Sequence, residues 1–160
     1  MTPDPITPDT GGESELQYDR SVIGQEFEVG TVEVTREILE AYCDALGETN
    51  PLYTDDEVAK QGPHGGIIAP PSYVMRMRFS EGPDPKVQFG NSTFHAGSNL
   101  DLLAPVRPGD TLRGTAYVKE VYEKTGRSGK MVFVVKRLDY HNQRGELVAA
   151  AEQSTLHREV

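Results

Sequence analysis

Three side chains that could take part in proton transfer or hydrogen bonding lie together in the loop Glu48–Tyr53 (ETNPLY), after a predicted helix. The carboxyl of Glu48 could act as a base, and Asn50 and Tyr53 are the other candidate catalytic residues of this loop. A structural role is open for each of them. Glu48 suits an exposed acid beside a helix end, Asn50 suits a turn before Pro51, and Tyr53 suits a packed ring bonded through its hydroxyl.

A second segment, GIIAPPSY at residues 66–73, combines glycine and proline with apolar side chains. Proline is tolerated in the first turn of a helix, because its missing N–H would have no partner there. The pair Pro70 and Pro71 therefore predicts a helix that runs from about Pro71 to Ser80. The helix is expected to be buried, because its apolar residues fall on nearly every side: Tyr73, Val74, Met75, Met77 and Phe79.

The elements before these segments are predicted from periodicity and from capping residues. Alternating apolar residues indicate a short strand from Phe27 to Val34. A helix then begins after the N-cap Thr35 and ends at Gly47, and a short helix follows that is capped by Asp55 or Asp56. One face of the first helix carries Ile38, Leu39, Tyr42, Cys43, Ala45 and Leu46. We expect Cys43 to be a packed thiol.

The second half of the chain is predicted to be strand after strand. Turn sequences PVRPGD, TGRSG and NQRG separate four segments with strand character: Phe94–Leu103, Thr111–Lys124, Met131–Asn142 and Leu147–Arg158. The continuous apolar run Met131–Val135 is typical of a strand covered on both faces. The sequence therefore predicts the α+β class, with an antiparallel sheet wrapped around one central helix.

Composition excludes several classes of function. The 160 residues include 36% hydrophobic and 26% charged residues, and the net charge is −9. This acidic balance argues against nucleic acid, which requires a basic surface. No apolar run is long enough to span a membrane, so a cytoplasmic location is expected. The histidines and the single cysteine do not have the spacing of a metal site, and no cofactor is implied.

The domain organisation is predicted to be simple. Residues 1–15 are rich in proline, threonine, aspartate and glycine, which favours a flexible arm. Residues 16–160 are then expected to form a single domain.

Four sequence segments in this order resemble the MaoC-like hot-dog dehydratase family, in particular its FAS1-like dehydratase or N-terminal MaoC branch. These segments are GETNPLY (47–53), GIIAPPSY (66–73), HAGSNLDLLAPVRPGDTL (95–112) and EKTGRSGKMVFV (123–134). The resemblance implies a single hot-dog domain that pairs with a second hot-dog chain. It also implies hydration or dehydration of an acyl thioester, either acyl-CoA or acyl-carrier protein.

In catalytic members of the family, an Asp-x-Asn-Pro-x-His loop supplies the acid and base, and a His-Gly step supplies a backbone N–H for the enolate oxygen. In this chain Glu48 replaces the aspartate and Tyr53 replaces the histidine, while Asn50 is retained. Pro70 and Pro71 stand where the His-Gly step would be. A phenol with a reference pKa of about 10 suits proton exchange near neutrality poorly, and proline has no N–H to donate. These departures predict a degenerate site.

By the same resemblance, the residues expected to hold the substrate are Gly66, Ile67, Pro70, Pro71 and Tyr73. The favoured interpretation is a non-catalytic, substrate-holding subunit of an (R)-specific enoyl-CoA hydratase or 3-hydroxyacyl-thioester dehydratase. The alternatives are a self-sufficient homodimeric hydratase or thioesterase, and an acyl-CoA-binding module without turnover.

Overall fold

The computed structural model describes residues 15–77 and 82–160. Five strands form one antiparallel sheet in the order β1-β3-β4-β5-β2. They are β1 (Phe27–Glu33), β2 (Ser92–Leu102), β3 (Thr111–Gly126), β4 (Gly129–His141) and β5 (Leu147–Arg158). The predicted α+β class is confirmed, and the strands lie within about two residues of their predicted bounds. The predicted arm, apart from Glu15, falls outside the described residues.

In the described part of the chain before β2 there are three short α-helices: α1 (Arg36–Leu46), α2 (Pro51–Thr54) and α3 (Asp56–Gln61). The cap of α1 is as predicted, since Thr35 Oγ1 accepts a hydrogen bond from the N–H of Ile38 at 3.2 Å. Gly47 ends this helix with a φ of 65°, a left-handed conformation that glycine adopts easily. The side chain of Asp55 caps α3.

The helix α1 packs on the sheet through fewer residues than predicted. Leu39 and Cys43 are buried, and burial raises the pKa of the Cys43 thiol. Ile38 and Leu46 belong to the predicted apolar face, but they are 46% and 57% exposed. The buried stripe of α1 is therefore narrower than the sequence pattern indicated.

The segment after α3 departs from the prediction. It forms a six-residue 3-10 helix, Pro71–Arg76, in which the N–H of Tyr73 bonds to the carbonyl of Pro70 at 2.9 Å. The backbone of Met77 is already extended, so the prediction of a longer helix is wrong at this residue. Residues 78–80 of that prediction lie outside the described residues. The sheet thus packs against α1 and a short 3-10 helix.

The core lies between these helices and one face of the sheet. Its largest members include Leu39, Tyr73, Val74, Leu112, Tyr140 and Val148. Val132 and Val134 of β4 are buried on this core face and Val135 on the opposite, outer face. Met131 and Phe133 are only half-buried, so the predicted burial of this run on both faces is confirmed in part.

Candidate functional site

A cavity of about 340 Å³ opens at the end of β2. Its walls come from the loop after α3, the start of the 3-10 helix and the segment that follows β2. The lining residues include Tyr53, His64, Pro70, Pro71, Val74, Leu102 and Leu103. Leu102 and Leu103 are 45% and 57% exposed, so the mouth of the cavity is apolar. Pockets that hold apolar ligands have this composition.

The loop before the cavity uses its polar side chains to hold its own backbone. The carboxylate of Glu48 accepts a hydrogen bond from the N–H of Asn50 at 2.8 Å. The side-chain oxygen of Asn50 accepts one from the N–H of Leu52 at 3.0 Å and thereby caps α2. Neither Glu48 nor Asn50 is among the residues that line the cavity. Both side chains act here as local structural groups.

Three of the residues singled out from the sequence meet at the cavity. Tyr53 lines it from α2, and Pro70 and Pro71 line it from the start of the 3-10 helix. Pro71 offers no N–H at this wall. The hydroxyl of the next residue, Ser72, accepts a hydrogen bond from the Tyr42 hydroxyl at 2.9 Å.

The other three lie away from this cavity. Tyr73 is buried in the core, where its ring meets Tyr42 edge-on at a centroid distance of 5.3 Å. Ile67 is buried beside a shallow surface hollow that Arg107 also lines. A Cβ built on Gly66 would lie 3.7 Å from Nη1 of Arg107.

Arg107 holds the rim of the cavity. Its Nη2 donates a hydrogen bond of 2.6 Å to the carbonyl oxygen of His64, and its backbone N–H donates to the carboxylate of buried Asp110 at 2.8 Å. From the sequence, Arg107 is only a basic residue in a turn. No local signal indicates that it reaches a loop 43 positions earlier. Leu102 and Leu103 were likewise predicted only as strand residues.

The cavity contains little that could catalyse proton transfer. Of the described residues that line it, Tyr53 and His64 are those with titratable side chains, and no carboxylate is present. Among residues 15–77 and 82–160, no group of three histidine, cysteine or acidic side chains could hold a metal ion. The arrangement suits binding of an apolar chain better than acid–base chemistry.

A second cavity, of about 240 Å³, lies under the 3-10 helix on the core face of the sheet. Its floor includes Leu138, Tyr140 and Ala151, and Lys136 and Gln153 also line it. Burial raises the pKa of Tyr140 to about 12, so this phenol remains protonated near neutrality.

Comparison with known proteins identifies the family. Residues 21–151 match the family described as FAS1-like, dehydratase domain region. A UPF0336 protein of Streptomyces griseus is 31% identical over 142 residues, which cover 85% of this chain and 92% of that protein. The chain therefore belongs to the FAS1-like dehydratase family, within the MaoC-like hot-dog proteins.

Solved structures agree on the fold. A MaoC-like dehydratase from Rhodospirillum rubrum superposes with a TM-score of 0.68 at 24% identity, over 85% of this chain and 92% of that one. A chain of the HadBC complex from Mycobacterium tuberculosis, a (3R)-hydroxyacyl-ACP dehydratase, superposes with a TM-score of 0.66 at 19% identity. The superposition covers 86% of this chain and 98% of that one. The described part of the chain has the hot-dog fold. It contains no helix long and apolar enough to cross a membrane.

Proposed function

We propose that this chain is the substrate-holding subunit of an (R)-specific enoyl-thioester hydratase or 3-hydroxyacyl-thioester dehydratase. A second MaoC-type chain supplies the acid and base. The observation that carries the proposal is the hydrogen bond that the carboxylate of Glu48 accepts from the N–H of Asn50. This bond engages the carboxylate in holding the backbone of its own loop. The apolar cavity beside Tyr53 then holds the acyl chain.

The chemistry of hydration supports a division of labour between two chains. Adding water beside a thioester carbonyl requires a base for water, an acid for the carbon, and a donor for the enolate oxygen. The described residues that line the cavity of this chain include no carboxylate, and Pro71 lacks the N–H that the reaction would need. Its apolar walls remain suited to an acyl chain bound to coenzyme A or to an acyl-carrier protein.

The edge strand β2 supports pairing with a second hot-dog chain. It is eleven residues long, and it lies at one edge of the sheet. An exposed strand of this length presents unpaired backbone groups that invite another strand. Phe94 and Leu102 on this strand are 46% and 45% exposed, which adds apolar area to the edge. HadBC, which shares the fold, is a complex. The proposal places the assembly in the cytoplasm.

The test is co-expression with a MaoC-type chain from the same genome that has an intact Asp-x-Asn-Pro-x-His loop. The purified complex is assayed for hydration of crotonyl-CoA. Glu48→Gln and Tyr53→Phe in this chain are expected to leave kcat within about threefold. The matched control replaces the aspartate of the partner's loop by asparagine. That change should lower kcat by about a hundredfold or more, the size of a general acid–base contribution.

Other outcomes identify the alternatives. Loss of activity with Glu48→Gln or Tyr53→Phe would make this chain catalytic and contradict the proposal. Release of free thiol from acyl-CoA by the isolated chain would indicate a thioesterase. Binding of acyl-CoA without turnover, alone and in the complex, would indicate an acyl-binding module.

A further inference from the structure

The apolar cavity shares a wall with a second, more open hollow. Ile68 and Val106 line the apolar cavity beside Tyr53. Their chain neighbours Ile67 and Arg107 line the other space, which has a volume of about 500 Å³ and is called here the Arg107 hollow. Adjacent Cα atoms are about 3.8 Å apart, so the two spaces are separated by one residue step. A long ligand in the apolar cavity can therefore reach the Arg107 hollow across this wall.

Arg107 offers a positive charge to this hollow. Its Nη2 donates a hydrogen bond to the carbonyl oxygen of His64, which is a neutral acceptor. Among residues 15–77 and 82–160, its guanidinium has no carboxylate partner. A Cβ built on Gly66 would lie 3.7 Å from Nη1, so the glycine leaves this nitrogen uncovered. The guanidinium has five N–H donors and can still bind an anion.

The other charged side chains of the Arg107 hollow satisfy one another. Arg36 donates a hydrogen bond to the carboxylate of Glu40 at 2.6 Å and another to that of Asp56 at 3.0 Å. These three side chains carry one negative charge between them, so they disfavour an anion on their side of the hollow. An anionic group is therefore favoured at Arg107, next to the shared wall.

The turn that carries Arg107 is held by a buried carboxylate. Asp110 accepts a hydrogen bond from the backbone N–H of Arg107 at 2.8 Å and one from Nε2 of Gln143 at 3.1 Å. The backbone is thus fixed in the turn, while the bond to His64 fixes the guanidinium. A side chain that is held in place beforehand loses less conformational entropy when a ligand binds.

We propose that Arg107 binds the phosphate of the phosphopantetheine arm that carries the acyl group. The inference rests on the proposed function and deepens it, because the acyl chain stays in the cavity beside Tyr53. Coenzyme A and acyl-carrier protein both carry their thioester on this arm, which is as long as four residues of extended chain, roughly 14 Å. A thioester at the cavity mouth can therefore place its phosphate at the guanidinium, whose planar donors match phosphate oxygens.

The test uses the complex with the MaoC-type partner and two thioesters that differ only in this phosphate, crotonyl-phosphopantetheine and crotonyl-pantetheine. Arg107→Gln is expected to raise KM about tenfold for the first, as the loss of a charge-assisted hydrogen bond would. It should leave kcat, and KM for the second, within twofold. Arg107→Lys keeps the charge and should raise KM by less. Arg127→Gln removes a cation from the β3–β4 turn and is the matched control, which should leave KM unchanged for both thioesters.

The phosphate-free thioester separates phosphate binding from support of the rim. An equal rise in KM for both thioesters would mean that Arg107 acts only through its bond to His64, and no rise for either would exclude a contact with the arm. Either result overturns the inference while the proposed function stands. A wild-type complex that hydrates no crotonyl thioester would instead overturn the proposed function.

Two further substrates identify the source of the phosphate. KM of the wild-type complex and of Arg107→Gln is measured with crotonyl-CoA and with the crotonyl thioester of acyl-carrier protein. We expect a rise of about tenfold with at least one of them, and the substrate that shows the rise is the natural carrier. No rise with either would overturn the role of Arg107 in the assembled complex.

Discussion

The guanidinium of Arg107 donates a hydrogen bond of 2.6 Å to the carbonyl oxygen of His64. This bond ties the turn after β2 to the glycine-containing loop at residues 62–66, on the opposite rim of the cavity beside Tyr53. The side chain of Asp110, a residue that is 4% exposed, accepts a hydrogen bond from the backbone N–H of Arg107 and stabilises the turn. The width of the cavity mouth therefore depends on contacts between segments far apart in the chain.

Replacing Arg107 should loosen this rim. Arg107→Gln removes the bond to His64, and we expect the free energy of unfolding to fall by about 1 kcal/mol. Amide hydrogen exchange should become faster in residues 62–66. Arg127→Gln, in the β3–β4 turn, is the control and should change stability by less than about 0.5 kcal/mol. Unchanged exchange in the glycine loop would show that Arg107 does not hold it.

Asn50 is predicted to stabilise the loop without taking part in the reaction. Asn50→Ala removes the cap of α2 and should cost about 1 kcal/mol in denaturant unfolding. Asn50→Asp keeps an oxygen acceptor at the same place, so it should retain most of this stability. In both variants, kcat per assembled complex should stay within about threefold. A drop in kcat with the stable Asn50→Asp variant would instead place the amide at the substrate.

Tyr140 should make the protein sensitive to alkali. Its pKa is about 12 in the fold because burial disfavours the phenolate, whereas the unfolded chain ionises near 10. The unfolded state therefore releases its proton first as pH rises, and the stability that is complete below pH 10 is lost between about 10 and 12. Tyr140→Phe should flatten this part of the stability profile. Burial raises the pKa of Tyr73 as well, so tyrosinate absorbance of the native protein should show late-ionising residues, and Tyr140→Phe should remove the last of them. An unchanged absorbance titration in Tyr140→Phe would contradict the assignment.

Leu103 should matter for the bound acyl chain. Its side chain lines the cavity and is 57% exposed, so Leu103→Asp introduces a charge at an apolar wall without opening the core. We expect weaker binding of a long-chain acyl-CoA, by tenfold or more in calorimetry with the assembled complex, and a change in melting temperature of less than about 2 °C. Leu46→Asp, on exposed α1, provides the control. Equal affinity in the two variants would exclude this cavity as the acyl site.

Much of the fold could be predicted because local signals agreed with the tertiary structure. Thr35 and Gly47 bound α1, and Gly129 and Gly145, in positive-φ conformations, turn the two hairpins. The length of the helix at Pro71 could not be predicted, since an apolar run does not distinguish a long α-helix from six residues of 3-10 helix that bury Tyr73 and Val74.

The candidate site was less predictable. Leu102 and Leu103 are predicted only as residues of a strand, yet they line the cavity beside Tyr53. The bond from Arg107 to His64 depends on two loops that meet only after the sheet has formed. Contacts between segments far apart in the chain leave no periodic pattern in the sequence from which they could be predicted.

The most direct measurement compares crotonyl-CoA hydration by the isolated chain with that of its complex with a MaoC-type partner, at equal concentrations of this chain. We predict that the isolated chain is at least a hundredfold slower than the complex. We also predict that acyl-CoA affinity in the complex falls when the cavity beside Tyr53 is altered. Full activity of the isolated chain, abolished by Glu48→Gln, would contradict the account.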